Sequence, residues 1–447
     1  MTVLRRVSAV RRHPVSRNVI SLYWLQIAQF IVPIVTLPYM ARVLNPAAFG
    51  LVVFTQGFAF VLIMFIDWGF GFTGTRSIAE NQGNRDGLSK VVQRVRGGQL
   101  LLAAASLPVT VAGMLFVTKL NHHPGFVMMA WVAAVATALV PVWFFVGLER
   151  PQQLARIQIA LRALGAVLTL LLVKDPEDAW IVMALFAAAS LVGWVVGDVM
   201  MYRQVAFRRP HVRESLAEIR HATTLFLGMI GVALYGTFNV LILGVLRDNA
   251  DVAHFGAAER VVRVSLSMLG PIGTAVLPRL IALQAAGRRE RARTLLVVMA
   301  AASAVPVLML SAAFALFAPT IIRIIYGDPF VDASAPILRV LALMLPICLI
   351  GVSFGTWLIT QHRDRVCTII VLTAGAFNIA LGSVLTLSSG PRGMAWSVVA
   401  AEGVAALGGM FVVTRDGRRR RVRVPPGSPD PDLVALAEAQ PPVGSSR

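Results

Sequence analysis

Ala48–Phe70, AFGLVVFTQGFAFVLIMFIDWGF, runs for 23 residues with one ionisable side chain, Asp67, close to its end. At ~1.5 Å rise per residue a helix of that length crosses the ~30 Å hydrocarbon core of a bilayer. Eleven further apolar runs share its character. With it they predict spans at 19–41, 48–70, 98–118, 125–147, 155–173, 179–201, 222–246, 252–278, 294–316, 336–360, 366–388 and 392–413. All are read as helices, because a segment in lipid must satisfy its own backbone hydrogen bonds and these runs lack the two-residue alternation of a membrane β-barrel. The expected fold class is therefore an all-α polytopic membrane protein of about twelve transmembrane helices.

Composition excludes a water-soluble alternative. Hydrophobic residues make up 57% of the 447, charged residues only 14%, and the mean hydropathy is +0.73, a balance that needs lipid as its main solvent. The net charge of +19 follows topology. Arginines crowd the N-terminal tail (Arg5, Arg6, Arg11, Arg12, Arg17), the loops after spans two (Arg76 to Arg96), six (Arg203 to Arg220) and eight (Arg279 to Arg293), and the tail from Arg415. With twelve spans all of these lie on one side, and the opposite connections carry little more than single cations. The positive-inside rule then places both termini in the cytoplasm. The basic runs are read as topology signals and lipid contacts, and no nucleic-acid partner is expected.

The predicted organisation is a basic cytoplasmic N-terminus (1–18), an N-terminal lobe (19–202), a basic linker (203–221), a C-terminal lobe (222–414) and a basic, then disordered, tail (415–447). The text itself hints at a repeat. Val43-Leu44, a short polar turn and Phe49-Gly50 are matched by Val245-Leu246, a turn and Phe255-Gly256. Two six-helix lobes of like orientation would enclose a central cleft able to open to either side by rocking. The first segment lacks the short apolar region and small-residue cleavage site of a removable signal, so span one is read as retained. Cys348 and Cys367 form no CxxC pair and are read as buried inert thiols.

The densest motif text is Asn18 to Gln26, Pro33 to Leu44 with Leu37-Pro38-Tyr39, then Phe49-Gly50, Asp67-Trp68-Gly69-Phe70 and Thr75-Arg76. This series resembles the Wzx-type O-antigen and oligosaccharide flippases, the polysaccharide branch of the multidrug/oligosaccharidyl-lipid/polysaccharide exporter superfamily. The likeness is strongest here, looser through span eight and weak in the last four spans. Asn45 stands where that branch usually has glycine, a departure of small consequence because asparagine also tolerates left-handed backbone. The resemblance implies a MATE-like two-lobed architecture in a bacterial inner membrane. It also implies movement of an undecaprenyl-diphosphate-linked oligosaccharide from the cytoplasmic to the periplasmic leaflet. The implied partners are that glycan and membrane lipids, with a polysaccharide polymerase and a chain-length regulator as further candidates. A lipid II flippase, a cation-coupled multidrug exporter and a membrane-embedded polymerase are the competing readings. The polymerase would be expected to carry a long periplasmic loop, and all the predicted ones are short.

Charges at membrane depth are expensive and normally face protein or water. Span eight carries Glu259, Arg260 and Arg263, with Arg263 on the same helical face as both others. A diphosphate head matches the permanently charged guanidinium fork, so Arg260 and Arg263 are the headgroup candidates. An internal Glu259–Arg263 pair that neutralises itself is the competing reading. Arg162 and Arg339 are weaker candidates, close enough to an interface for their side chains to snorkel.

Glu402, mid-span with no basic residue nearby in sequence, is read as a coupling group that binds and releases a proton, or as a protonated packing contact. Asp67 and Asp198 complete the acidic set, and Arg76 is expected to lock onto Asp67. Pro33 and Pro38 in span one, and Pro271 and Pro278 in span eight, mark kinks or hinges. Tyr23, Trp24, Gln26, Gln29, Tyr235, Asn239 and Trp357 are possible sugar contacts or packing groups. The chain has no GxxxxGK[ST] run and no histidine spacing suited to a metal, so a transporter without cofactors is expected.

Overall fold

The computed structural model describes residues 35–116, 118–236, 238–267, 279–284, 286–361 and 363–423. The N-terminus (1–18), most of span one with Tyr23, Trp24, Gln26, Gln29 and Pro33, the Pro271–Pro278 segment and the tail from 424 lie outside them. Among the described residues every regular element is helical.

The helices are α1 (35–43), α2 (Pro46–Asp67), α3 (Phe70–Glu80), α4 (Arg85–Phe116), α5 (Thr118–His122), α6 (Pro124–Leu139), α7 (Val142–Gly147), α8 (Pro151–Leu172) and α9 (Ala179–Tyr202). Beyond the linker come α10 (Val212–Gly236), α11 (Phe238–Leu246), α12 (Asn249–Ser267), α13 (279–284), α14 (Arg289–Tyr326), α15 (Val331–Ala342), α16 (Met344–Thr360) and α17 (Asp364–Arg423). Eight helical stretches are long and apolar enough to span a membrane among the described residues, and one of them, Arg365–Arg415, holds both predicted spans eleven and twelve. The chain reverses there at Gly390, whose φ of 58° breaks α17. Gly393 then packs so closely on Leu385 that an added methyl would sit 2.0 Å from its carbonyl oxygen.

Local chemistry sets the ends of α2. Asn45 caps it, its Oδ1 accepting the Ala48 N–H at 2.8 Å, and Pro46 opens the first turn with a φ suited to it. At the other end Trp68 and Gly69 both take left-handed φ, 44° and 84°, which turns the chain into α3. The Asp67 carboxylate lies against the Gly69 and Gly71 backbone across that turn. The DWGF text is thus a two-residue break between helices, closed by a carboxylate on the next N-terminus and anchored by fully buried Phe70.

The two lobes meet along α2. Phe49, Val52, Val53 and Phe54 share one apolar core with Val240, Leu243, Val252, Ala253, Phe255 and Ala258. Glycines let the backbones approach: a methyl on Gly50 would lie 1.7 Å from the Asn249 carbonyl oxygen, one on Gly256 would lie 2.8 Å from Val53, and one on Gly244 would lie 2.1 Å from the Phe54 ring. The paired Phe-Gly motifs of the sequence therefore face each other across the lobe contact. Toward the other end of α2, Trp68 stacks on Phe226 of α10 with ring centroids 3.8 Å apart and donates to Thr223 at 3.2 Å.

Helices start earlier than expected in the basic stretches, at Val212 inside the expected linker 203–221, at Arg289 ahead of span nine, and most consequentially after span two. The basic stretch after span two was expected as a loop, but α4 begins at Arg85 and runs for 32 residues. Arg94 and Arg96 are consequently helical, and Arg96 is buried.

Candidate functional site

α2 and α12 start at the same end of the molecule and run side by side, touching once per turn: Gly50 at Ala253, Val53 at Gly256, and then Gln56 at Arg260, whose Nη2 donates to Gln56 Oε1 at 2.9 Å. The outer end of this ladder is sealed by aromatic rings. Phe49 packs edge-on to Phe330 with centroids 5.7 Å apart and tilted against Tyr326, while His254 packs on Phe330 and lies 3.2 Å from the Ser334 hydroxyl. Tyr326 also lies within electrostatic reach of Arg260. Arg260 Nη1 is enclosed and has no hydrogen-bond partner.

One turn deeper, Arg263 donates to Glu259 at 2.7 Å and to the Gly236 carbonyl of α10. Its side chain remains 39% exposed whereas that of Glu259 is 10% exposed. The internal pair of the sequence reading is therefore formed, with the Arg263 side chain part-exposed. Glu402 of α17 is buried and lies within electrostatic reach of Arg263 and of the Cys348 thiol on α16. Three elements thus converge on Arg263, which brings to Glu402 the cation that its own stretch of sequence lacks.

The remaining acidic groups serve elsewhere. Asp198 on α9 takes a buried ion pair from Arg96 and a hydrogen bond from Trp194 at 2.9 Å. Arg96 further donates to the Leu139 carbonyl at 2.5 Å and to Gln99 at 3.1 Å, so that α4, α6 and α9 are tied at one point. Asp67 caps α3, as described above. Arg76 instead reaches Glu80 at 2.8 Å, with both side chains well exposed, because one helical turn brings it to Glu80 and carries it away from the α2 terminus.

Arg162 on α8 and Arg339 on α15 are exposed, and neither forms an ion pair among the described residues. Asn239 is fully buried and accepts from Asn378 at 2.6 Å, whose own Oδ1 accepts from Ser397 at 3.1 Å. That interhelical network accounts for Asn239 as a packing group.

Sequence reading missed Gln56 and Arg96. Gln56 sits in a span of uniform apolar text and shows its role only against a residue of the other lobe. Arg96 reads as one more loop cation until the early start of α4 is known. Arg96 lies about three helical turns before the middle of the 98–118 apolar run, and that spacing is the one signal of its depth in the sequence.

Three comparisons bear on this arrangement. Residues 15–284, more than half of the chain, match the family described as Polysaccharide biosynthesis protein. Two curated relatives, from Escherichia coli (strain K12) and Shigella dysenteriae, are each named "Putative O-antigen transporter". The first is 27% identical over 86% of this chain and 93% of its own length, the second 25% identical over 86% and 96%. Among solved structures, the lipid II flippase MurJ in an inward closed conformation aligns with a TM-score of 0.66 at 14% identity, covering 88% of this chain and 87% of its own. An inward-facing MATE-family multidrug transporter of the MOP superfamily aligns at 0.61 and 18% identity, covering 88% and 99%.

The helical fold is the one these two solved carriers share, and by its relatives and family the chain is a multi-pass membrane transporter and not an enzyme. Within that class the chain belongs to the polysaccharide biosynthesis protein family.

Proposed function

We propose that this protein is a flippase for undecaprenyl-diphosphate-linked oligosaccharide, carrying it from the cytoplasmic to the periplasmic leaflet of a bacterial inner membrane by alternating access. The observation that carries this reading is the pair Arg260 and Arg263, one enclosed guanidinium and one part-exposed side chain on successive turns of α12 beside the lobe contact. A diphosphate head needs such groups, because its charge must be met by hydrogen-bonded cations wherever water is scarce. The names of the two curated relatives support the saccharide cargo.

With both termini in the cytoplasm, as the arginine distribution supports, the sealed end at Phe49, Tyr326 and Phe330 is periplasmic. Arg263 then faces the side from which a newly made lipid-linked glycan arrives. The two-lobe division at 19–202 and 222–414 supplies the rigid bodies, and the Gly50–Asn249 contact supplies the pivot. Arg162 and Arg339, exposed near the interfaces, act as lipid-headgroup contacts.

A strain lacking the gene is expected to hold the lipid-linked oligosaccharide in the cytoplasmic leaflet, scored by labelling of its sugars from the periplasmic side. Wild type restores periplasmic labelling; Arg263→Ala, at equal membrane abundance, does not. Normal leaflet distribution in the deletion strain would rule this cargo out.

Glu402 is the coupling group in the same scheme. Its carboxylate is balanced by Arg263 when that cation is free, and it takes a proton when Arg263 is drawn to a phosphate. Transport by Glu402→Gln is accordingly expected to continue at a reduced rate that no longer responds to collapse of the proton gradient with an ionophore. A variant that responds as wild type does would remove Glu402 from this role.

A further inference from the structure

Among the described residues, the Gln56–Arg260 rung is the polar one of the three α2–α12 contacts above, and it is the innermost of them. The guanidinium is only half used: Nη2 is held by the neutral Gln56 carbonyl oxygen at 2.9 Å, while Nη1 is enclosed without any partner. An amide carbonyl is a weak acceptor for a cation compared with an oxyanion, and a donor left unsatisfied in a closed site destabilises the arrangement that encloses it. The rung is therefore formed but ready to be exchanged. Access to it is one-sided, since the Tyr326, Phe330 and Phe49 rings close the outer end and Arg263, one turn inward, keeps 39% of its side chain open.

We infer that Gln56 is the N-terminal lobe's half of the headgroup site, a latch that holds Arg260 in the empty carrier and yields it to a phosphate oxygen. An anion that has met Arg263 can move one helical turn to Arg260, bond the idle Nη1 and draw Nη2 off Gln56. The exchange breaks this polar tie between α2 and α12, and the other two contacts described there are glycine-mediated. Gln56, released, keeps an amide N–H₂ to offer the same phosphate, so the residue that ties α2 to α12 in the empty state becomes a ligand in the loaded one. Loading and release of the α2–α12 contact are thereby linked through a single side chain. The inference rests on the lipid-diphosphate reading above for the identity of the anion, but the latch itself does not.

The test uses the full chain in lipid nanodiscs with Cys348 and Cys367 replaced by alanine and spin labels on cysteines at Ala47 and Val245, exposed positions near the sealed end of opposite lobes. The distance distribution is recorded with and without undecaprenyl diphosphate, with undecaprenol as control. For the otherwise wild-type protein, the diphosphate is expected to add a longer-distance population and undecaprenol to add none. Gln56→Leu should show that longer population without ligand. Gln56→Glu, which turns the rung into an ion pair, should keep the short distance in the presence of the diphosphate and translocate at least ten times more slowly in cells.

A Gln56→Leu distribution identical to wild type overturns the latch. A longer population in Gln56→Leu, with no response of the wild type to undecaprenyl diphosphate, overturns the exchange and points the failure at the cargo instead. A wild-type response that Gln56→Glu shares in full also overturns the exchange.

Discussion

Arg260→Ala is expected to lower glycolipid translocation roughly 100-fold, on the basis of two lost charge-assisted hydrogen bonds of about 1.5 kcal/mol each. Arg260→Lys should recover only part of that, because an ammonium keeps the charge and loses the planar fork that can hold one oxygen on each nitrogen. Neither variant is expected to unfold the protein. The wild-type guanidinium already has one unsatisfied nitrogen, and removing it frees only the Gln56 carbonyl, on a half-buried side chain. The measurement is periplasmic labelling of the lipid-linked glycan in the deletion strain, normalised to membrane abundance. Translocation by Arg260→Ala at more than a third of the wild-type rate would remove Arg260 from the site.

The opposite pattern is expected at Arg96, where folding and not cargo is at stake. Its two terminal guanidinium nitrogens are both bound, by Asp198, Leu139 and Gln99, and its side chain is only 5% exposed. Arg96→Ala would leave the Asp198 carboxylate, 21% exposed, without its cation between α4 and α9. Breaking a buried pair from one side costs about 3–5 kcal/mol, whereas replacing both members by apolar groups is often neutral. The single variant should therefore lose much of its thermal stability in detergent, and Arg96→Met combined with Asp198→Leu should regain most of it. An unchanged melting temperature for Arg96→Ala would mean that the pair contributes nothing and that Trp194 alone can hold Asp198. The same double variant separates structure from transport: if it folds and still translocates, Asp198 is not a coupling group.

The two experiments divide the charged residues of the spans by what surrounds them. Arg96 and Asp198 hold each other across α4 and α9 and serve packing. Arg260 keeps a terminal nitrogen without a partner, and the Arg263 side chain stays part-exposed. Glu402 stands between these cases, buried yet held only at a distance by Arg263.

Much of the architecture was legible in the chain because lipid allows so few solutions. A run such as Ala48–Phe70 can only be a helix there, since no water remains to satisfy a free backbone amide, and the same logic places the chain reversal at Gly390-Pro391. The turn at Trp68-Gly69 and the cap at Asn45 are equally local, decided by residues within one turn of each other. That the lobes meet through small residues was half visible, in the repeated Phe-Gly of Phe49-Gly50 and Phe255-Gly256. Sequence also singled out Glu259, Arg260, Arg263 and Glu402, because a charge in an apolar run is costly wherever it sits.

What those charges do was decided only by the tertiary structure. Glu402 acquired its cation, and Arg260 its amide, from helices far along the chain. Arg96 changed from a loop cation into a buried tie because α4 starts a full eleven residues before it. Hydrophobicity is a property of each segment alone and survives in any arrangement of the helices. The pairing of polar groups depends on which helix faces are turned toward each other, and that is fixed by close-packed contacts such as Gly50 on Asn249, which no single stretch of sequence contains.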